Sequence, residues 1–319
     1  MSAPKYSVIV PVYNRPEELA ELLESLTVQT YRDFEVLIIE DGSTRRSESV
    51  YERYVTRLRI QYFFKPNTGP GPSRNFGFEH AVGEYFVVFD SDCILPPEYF
   101  QVVNNYLDSN PLDAWGGPDR GHPSFTSLQQ AMGYTMSSVL TTGGIRGGKN
   151  QATKFQPRSF NMGMSRKVWE ATGGFKFERL AEDIELSVRM KKAGFKVGLI
   201  PEAYVYHKRR TSLAAFFRQT AGFGRGRARV GKVHPGEIKP VHWLPTLVLL
   251  DIVIMPLVVV LSPTLGLIGY GFYFLYGFLL FVDCLMVTGS VTAAILSIPS
   301  AIVQFCGYGW GFLQETLKK

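Results

Sequence analysis

The sequence predicts an α/β domain, a mostly parallel sheet with helices on both faces, followed by helices long enough to cross a membrane. Two observations lead there. Up to about Gly236, short β-rich apolar runs alternate with charged and helical segments, and from Trp243 to about Leu313 charges almost disappear. Strand, helix, strand at this spacing calls for right-handed crossovers and so for parallel strands buried on both faces.

Tyr6 to Tyr13 (YSVIVPVY) is the first buried strand. A helix follows: Pro16 suits its first position, Glu17 and Glu18 complement the positive end of its dipole, and Leu19, Leu22, Leu23 and Leu26 form one apolar face. Glu35 to Ile39, Ile60 to Phe64 and Tyr85 to Phe89 are the next strands. Ligands of such sheets sit at the carboxyl ends of the strands, which singles out Asn14, Asp41, Asp90 and Asp92. Gly116 to Gln156 reads as an irregular stretch rich in glycine, serine and threonine. Glu182 to Ala193 reads as an amphipathic helix stopped by Gly194, with short strands at Lys196 to Ile200 and Ala203 to Tyr206. Leu213 to Phe223, apolar except for Arg218, suits a membrane surface.

Trp243 to Leu261, Leu265 to Val287 and Val291 to Leu313 each approach the ~20 residues a bilayer needs. Asp251 and Asp283 interrupt the first two, and each aspartate should face a neighbouring helix or an interface. The chain carries 34 lysines and arginines against 28 acidic residues, a net charge of +6. Much of that excess lies between His207 and Lys239, just before the apolar segments. This collar suits lipid headgroups and places the preceding domain in the cytoplasm. Three spans would carry Lys318 and Lys319 to the far side, against the same rule, so the count of three is open by one. No signal peptide is visible before the first strand. The expected division is a catalytic domain at 1–210, a basic amphipathic linker at 211–240, and a membrane region of about three helices at 241–319. The three cysteines, Cys93, Cys284 and Cys306, match no disulfide framework or metal spacing and read as small apolar fillers.

The chemistry should centre on Asp90-Ser91-Asp92. Two carboxylates one residue apart at a strand end can hold Mg²⁺ or Mn²⁺ against a diphosphate, and without a cation they would repel. Asp41 is either a turn or cap residue or an acceptor for a base or ribose group. Glu182-Asp183 is either a helix cap or contains a general base for an attacking hydroxyl. His207 is either a structural histidine or a third metal ligand. Gly143 to Asn150 (GGIRGGKN) approaches a phosphate loop but has Asn150 where Ser or Thr holds Mg²⁺, and no apolar strand precedes it. It reads as a mobile loop instead.

Together these residues resemble the family-2 glycosyltransferases, which have the nucleotide-diphospho-sugar transferase fold called GT-A. The resemblance runs from about Tyr6 to Arg229. It rests on Val10-Pro11-Val12-Tyr13-Asn14, Glu40-Asp41-Gly42-Ser43, Gly71-Pro72-Ser73-Arg74-Asn75-Phe76-Gly77, Asp90-Ser91-Asp92, Gly173-Gly174-Phe175 and Glu182-Asp183-Ile184-Glu185-Leu186, in the family's order. It implies that Pro11, Val12, Tyr13, Asn14 and Asp41 hold the nucleoside, and that Arg74, Asn75, Asp90 and Ser91 lie beside the nucleotide-sugar. Asp92, with His207, would ligate Mn²⁺ or Mg²⁺. Asp183 would be the catalytic base and Glu182 would face the acceptor. Arg218, Arg225 and Arg227 are candidates for steadying the leaving diphosphate. Polymerising members carry Gln-x-x-Arg-Trp after the base. Here Arg218 to Gly226 has no tryptophan and different spacing, which favours a single transfer.

The expected function is therefore inverting transfer of one sugar from a nucleotide-diphosphate donor, UDP by resemblance, to a lipid-linked acceptor at the cytoplasmic face of an inner membrane. Transfer to polyprenyl phosphate is the alternative within the class, and a non-catalytic nucleotide-sugar-binding membrane subunit the alternative outside it. A polytopic transporter fits poorly, because most of the chain is soluble in character, and no nucleic-acid partner is expected.

Overall fold

The computed structural model describes residues 3–122, 124–143 and 155–318. The glycine-rich segment Gly143 to Asn150 lies, beyond Gly143, outside the described residues. The chain forms two compact units, Met1–His122 with Lys149–Lys208, and Pro123–Gly148 with Arg209–Lys319.

In the first unit the chain runs through β1 (Tyr6–Val12), α1 (Pro16–Thr27), β2 (Phe34–Asp41), α2 (Glu48–Glu52), β3 (Ile60–Lys65), α3 (Pro70–His80), β4 (Tyr85–Phe89), β5 (Cys93–Ile94), α4 (Tyr99–Ser109), β6 (Ala114–Gly116) and β7 (Asp119–Arg120). Two helices of the second unit, α5 (Ser127–Ser137) and α6 (Val139–Thr142), come next in sequence. The first unit resumes with β8 (Asn161–Ser165), α7 (Arg166–Thr172), α8 (Glu182–Lys192), β9 (Val197–Leu199) and β10 (Val205–His207).

Among the described residues, seven strands make the main sheet in the order β3-β2-β1-β4-β8-β6-β9. β1 to β4 are parallel, β8 is antiparallel to both neighbours, and β9 is parallel to β6. A small sheet, β5-β10-β7, carries His207 at its central strand. Alternate residues of β1 feed opposite cores. Val8, Val10 and Val12 pack with the α1 leucines and with Phe100 and Val103 of α4, whereas Ile9 packs with Phe78 of α3 and with Leu186 and Met190 of α8. Every residue of β2 is buried, as a strand covered on both faces requires. This arrangement turns the ends of β1, β2 and β4 toward one set of loops, where Asn14, Asp41, Asp90 and Asp92 lie.

The described part of the stretch from Gly116 to Gln156, up to Gly143, is more ordered than the sequence suggests. Thr126 and Gln129 form a reciprocal capping box that starts α5, and the Ser138 side chain caps α6, which ends at Gly143 with φ +64°. Serine and threonine thus serve as helix starts, and Ala131, Met132, Tyr134 and Met136 supply the apolar face.

The second unit continues with α9 (Leu213–Val233), a 3₁₀ turn (Pro240–Trp243), α10 (Leu244–Leu261), α11 (Pro263–Thr288) and α12 (Val291–Leu317). The apolar segment Leu213 to Phe223 forms the first half of α9, and Gly224 in the second half fits a close backbone contact with α12. Among the described residues, three helices, Pro240–Leu261 counted with its leading turn, Pro263–Thr288 and Val291–Leu317, are long and apolar enough to cross a membrane.

One glycine controls the packing of the antiparallel half of the main sheet. A Cβ at Gly163 would stand 2.1 Å from the wholly buried Trp115 ring. Gly163→Ala should therefore overpack the core and destabilise the first unit by about 1–3 kcal/mol, seen as a lower melting temperature of the detergent-purified protein.

Candidate active site

The turn after β1 is organised by Asn14, whose backbone is left-handed at φ +56°. Its Oδ1 accepts hydrogen bonds from the Thr44 and Arg45 amides, both at 2.9 Å, and its own amide donates to Ser43 Oγ at 2.8 Å. Asn14 thus ties the β1 loop to the β2 loop. In the same turn, Val12 belongs to the core, Pro11 and Asn14 are half-buried, and Tyr13 is half exposed. Glu40 completes this junction by accepting from the Ser47 amide at 2.7 Å, Tyr62 Oη at 3.2 Å and Ser43 Oγ.

Asp41 is buried at the end of β2 and accepts from the Thr68 and Gly69 amides, each at 2.9 Å, and from Lys65 Nζ. Burial alone would raise its carboxyl, but Lys65 and the two amides outweigh burial and hold it below the ordinary aspartate value.

Arg74 projects from α3 and is almost fully buried. Its Nη2 donates to Asp90 Oδ1 and its Nη1 to Glu182 Oε1, both at 2.8 Å. One guanidinium thereby links the end of β4 to the start of α8. Gly71 makes this possible: a Cβ there would lie 2.1 Å from the Phe177 carbonyl, so only glycine lets the chain before α8 approach α3 so closely. Asn75 supports the same junction, since its amide exchanges two 2.8 Å hydrogen bonds with the main chain of Phe175.

The entry to α8 is strained. Leu180 and Ala181 are both left-handed, at φ +63° and +62°, costing on the order of 1–2 kcal/mol each. Asp183, the next residue but one, accepts from the Ser159 amide at 3.2 Å and lies 3.9 Å from Arg158. Burial pushes the neighbouring Glu182 carboxyl up; Arg74 opposes this and Asp183 adds to it, leaving the group above its usual value.

Asp92 is buried between Arg15, which contacts its Oδ2, and His207, whose Nε2 lies 3.1 Å from its Oδ1. Burial raises this carboxyl, but His207 and Arg15 overcome the effect and hold it far below the usual range. The contact with His207 lacks hydrogen-bond geometry: Asp92 Oδ1 is buried without a hydrogen-bond partner, as is His207 Nδ1. Two atoms sharing one cation at about 2.1 Å in octahedral geometry stand roughly 3 Å apart, so this pair fits a divalent ion. Cys93 is close to both but is wholly buried, donates to the Phe160 carbonyl at 3.4 Å, and has its pKa raised by burial, which suits a structural thiol. Ser91 is buried between the two aspartates.

The first unit thus gathers Asn14, Asp41, Arg74, Asp90, Asp92, Glu182, Asp183 and His207 around the strand ends. Arg218, Arg225 and Arg227 belong to α9 in the second unit. Arg15 and Lys65, which partner Asp92 and Asp41, carry no sequence signal beyond being basic residues near the motifs.

Residues 7–171, just over half of the chain, match the model described as Glycosyl transferase family 2, and the chain belongs to that family. An uncharacterized glycosyltransferase of Rickettsia felis is 39% identical over 106 residues, covering 33% of this chain and 18% of the relative. Two solved structures share the fold. The mannosyltransferase PcManGT from Pyrobaculum calidifontis, in complex with GDP-Man and Mn²⁺, aligns with a TM-score of 0.68 and 17% identity over 93% of this chain and 86% of that one. S. aureus TarS 1-349 in complex with UDP-GlcNAc aligns at 0.53 and 21% identity over 75% and 69%. The main sheet with its covering helices is therefore a GT-A fold.

Replacing Arg74 with methionine would leave Asp90 and Glu182 without their shared cation, and a loss of about 3 kcal/mol or more is expected in chemical denaturation. Asp41, whose folded pKa is depressed, contributes stability that is complete above its unfolded value of about 3.9 and fades as pH falls through the lower folded value. Asp41→Asn should accordingly lower the melting temperature at pH 7, by a margin that shrinks as pH falls below about 3.9.

Proposed function

We propose that the chain transfers one sugar from a nucleotide-diphosphate donor to a lipid-linked acceptor at the cytoplasmic face of a membrane, with inversion at the anomeric carbon. The observation that carries this reading is the set of charge contacts from Asp90 through Arg74 to Glu182, which puts Asp183 on the same assembly as the Asp-x-Asp loop. The nucleoside would lie over the Asn14 and Asp41 loops. UDP-GlcNAc bound to TarS and GDP-Man bound to PcManGT support a nucleotide-diphospho-sugar as the donor class, and the sequence resemblance favours UDP.

Asp92 and His207 would hold Mn²⁺ or Mg²⁺, and Mn²⁺ in the PcManGT complex supports that choice. The ion, when bound, neutralises charge on the leaving diphosphate. Asp183 would take the proton of the acceptor hydroxyl as its oxygen forms the new bond to the anomeric carbon and the nucleoside diphosphate departs from the opposite side. Glu182 would face the acceptor, with Arg74 fixing its position. Arg218, Arg225 and Arg227 remain the proposed source of further positive charge for the diphosphate. The apolar helices and the basic residues before them support a membrane location, with the first unit on the cytoplasmic side.

Nucleotide release by the detergent-purified chain, with a panel of UDP-, GDP- and dTDP-sugars and a membrane lipid extract, tests the proposal. One donor should turn over, dependent on metal and lipid. Asp183→Asn should lower the rate by about 10²-fold or more, and Asp92→Ala should abolish the metal dependence. Undiminished turnover in Asp183→Asn would replace the hydroxyl acceptor with a phosphate, which needs no base.

A further inference from the structure

The three apolar helices of the second unit are not equivalent spans. α10 and α11 pair as an antiparallel hairpin whose register is set at three points: Gly266 against Val259, Gly269 against Met255, and the Tyr273 hydroxyl donating to Asp251. Continued in that register, Thr246 at the start of α10 stands level with about Phe278 of α11. α12 meets both helices at this level. Its Ile298 lies against Gly277 of α11, and its Gly309 carbonyl accepts from the Thr246 hydroxyl at 3.3 Å. Residues 298 and 309 are separated by about 16 Å of helix, yet they meet the hairpin at nearly one height. α12 therefore crosses the open end of the hairpin instead of running alongside it.

α9 fixes what surrounds α12. The two helices run parallel, with Gly307 against Thr220, Gly224 against Tyr308 and Phe312, and Gly311 against Ala221. Further along, Arg229 Nε meets Glu315 at 3.0 Å and Lys232 Nζ donates to the Lys318 carbonyl at 2.8 Å. A Cβ at Gly311 would fall 2.0 Å from the Ala221 carbonyl, so these are backbone contacts and the helices share one depth. α9 also carries Arg218, Arg225 and Arg227, a run of cations that hydrocarbon excludes. Burial agrees: the apolar windows of α10 and α11 are 6% and 17% buried, leaving their side chains free for lipid, whereas that of α12 is 44% buried.

We propose that only α10 and α11 enter the hydrocarbon, as a hairpin, and that α12 lies along the membrane surface beside α9. The C-terminal end then returns to the face from which α10 enters. This removes the conflict between three spans and the lysines at the end of the sequence, because Lys318 joins the basic collar of α9 on one side. The uncharged turn at Leu261-Ser262-Pro263-Thr264 is left as the deepest point. The inference is independent of donor and acceptor.

The test uses the full chain with one epitope tag before Met1 and a second after Lys319, in sealed bacterial membrane vesicles of each orientation treated with protease. Both tags should be lost together in one orientation and kept together in the other, and the protein should stay with the membrane in alkaline carbonate. Loss of one tag with survival of the other in the same vesicles would place the ends on opposite faces and overturn the proposal. Release by carbonate would overturn the hairpin itself.

Discussion

The site depends on one buried cation. Arg74 reaches Asp90 at the end of β4 and Glu182 at the start of α8, and among the described residues neither carboxylate forms another ion pair. Burying a guanidinium is costly unless its hydrogen bonds are satisfied; here two of its nitrogens are matched by carboxylates, while Nε is buried without a hydrogen-bond partner among the described residues. The surrounding chain is shaped to allow this: Gly71 admits the segment before α8 at van der Waals contact, Asn75 clamps Phe175, and Leu180 and Ala181 accept left-handed conformations. Backbone strain at the start of α8 thus lies beside an ion pair formed one residue before Asp183.

The Asp92–His207 pair is arranged differently. Asp92 is held below the ordinary aspartate range by His207 and Arg15 despite its burial, so the loop after β4 carries a charged carboxylate. A carboxylate that stayed protonated would have to lose a proton on each binding event. Were a cation to bind at Asp92, no proton would have to leave first, although Arg15 would compete for the same carboxylate.

What could be read in the sequence follows from which forces are local. β1, β2 and β4 were legible because strands covered on both faces must be continuously apolar, and their ends mark Asn14, Asp41 and Asp90. The partners of these residues were not legible. Lys65 reaches Asp41 across 24 positions and Arg15 reaches Asp92 across 77, and pairs so far apart leave no periodic trace. α5 was hidden for another reason. Its apolar face is only a few residues long and is flanked by Thr126 and Ser138, residues that mark loops as readily as helix caps. In the apolar segments, length and hydropathy gave the helices but not their directions, because glycine contacts such as Gly311 on Ala221 decide which helix lies beside which.

The interleaving of the two units sets an order of assembly. α5 is made early, yet Gln304 of α12 donates to its Thr135 carbonyl across 169 positions, and Asp283 of α11 accepts from its Tyr134 hydroxyl across 149. At ordinary rates of synthesis the ribosome needs roughly 10–30 s to supply that partner. During this interval Met132 and Met136 have no α12 to cover them. The first unit can close once residue 208 has emerged, whereas the second must hold an unfinished apolar surface until nearly the last residue is added. In a nascent chain already carrying a folded domain, that waiting surface is a natural point of first attachment to a nearby bilayer or a chaperone.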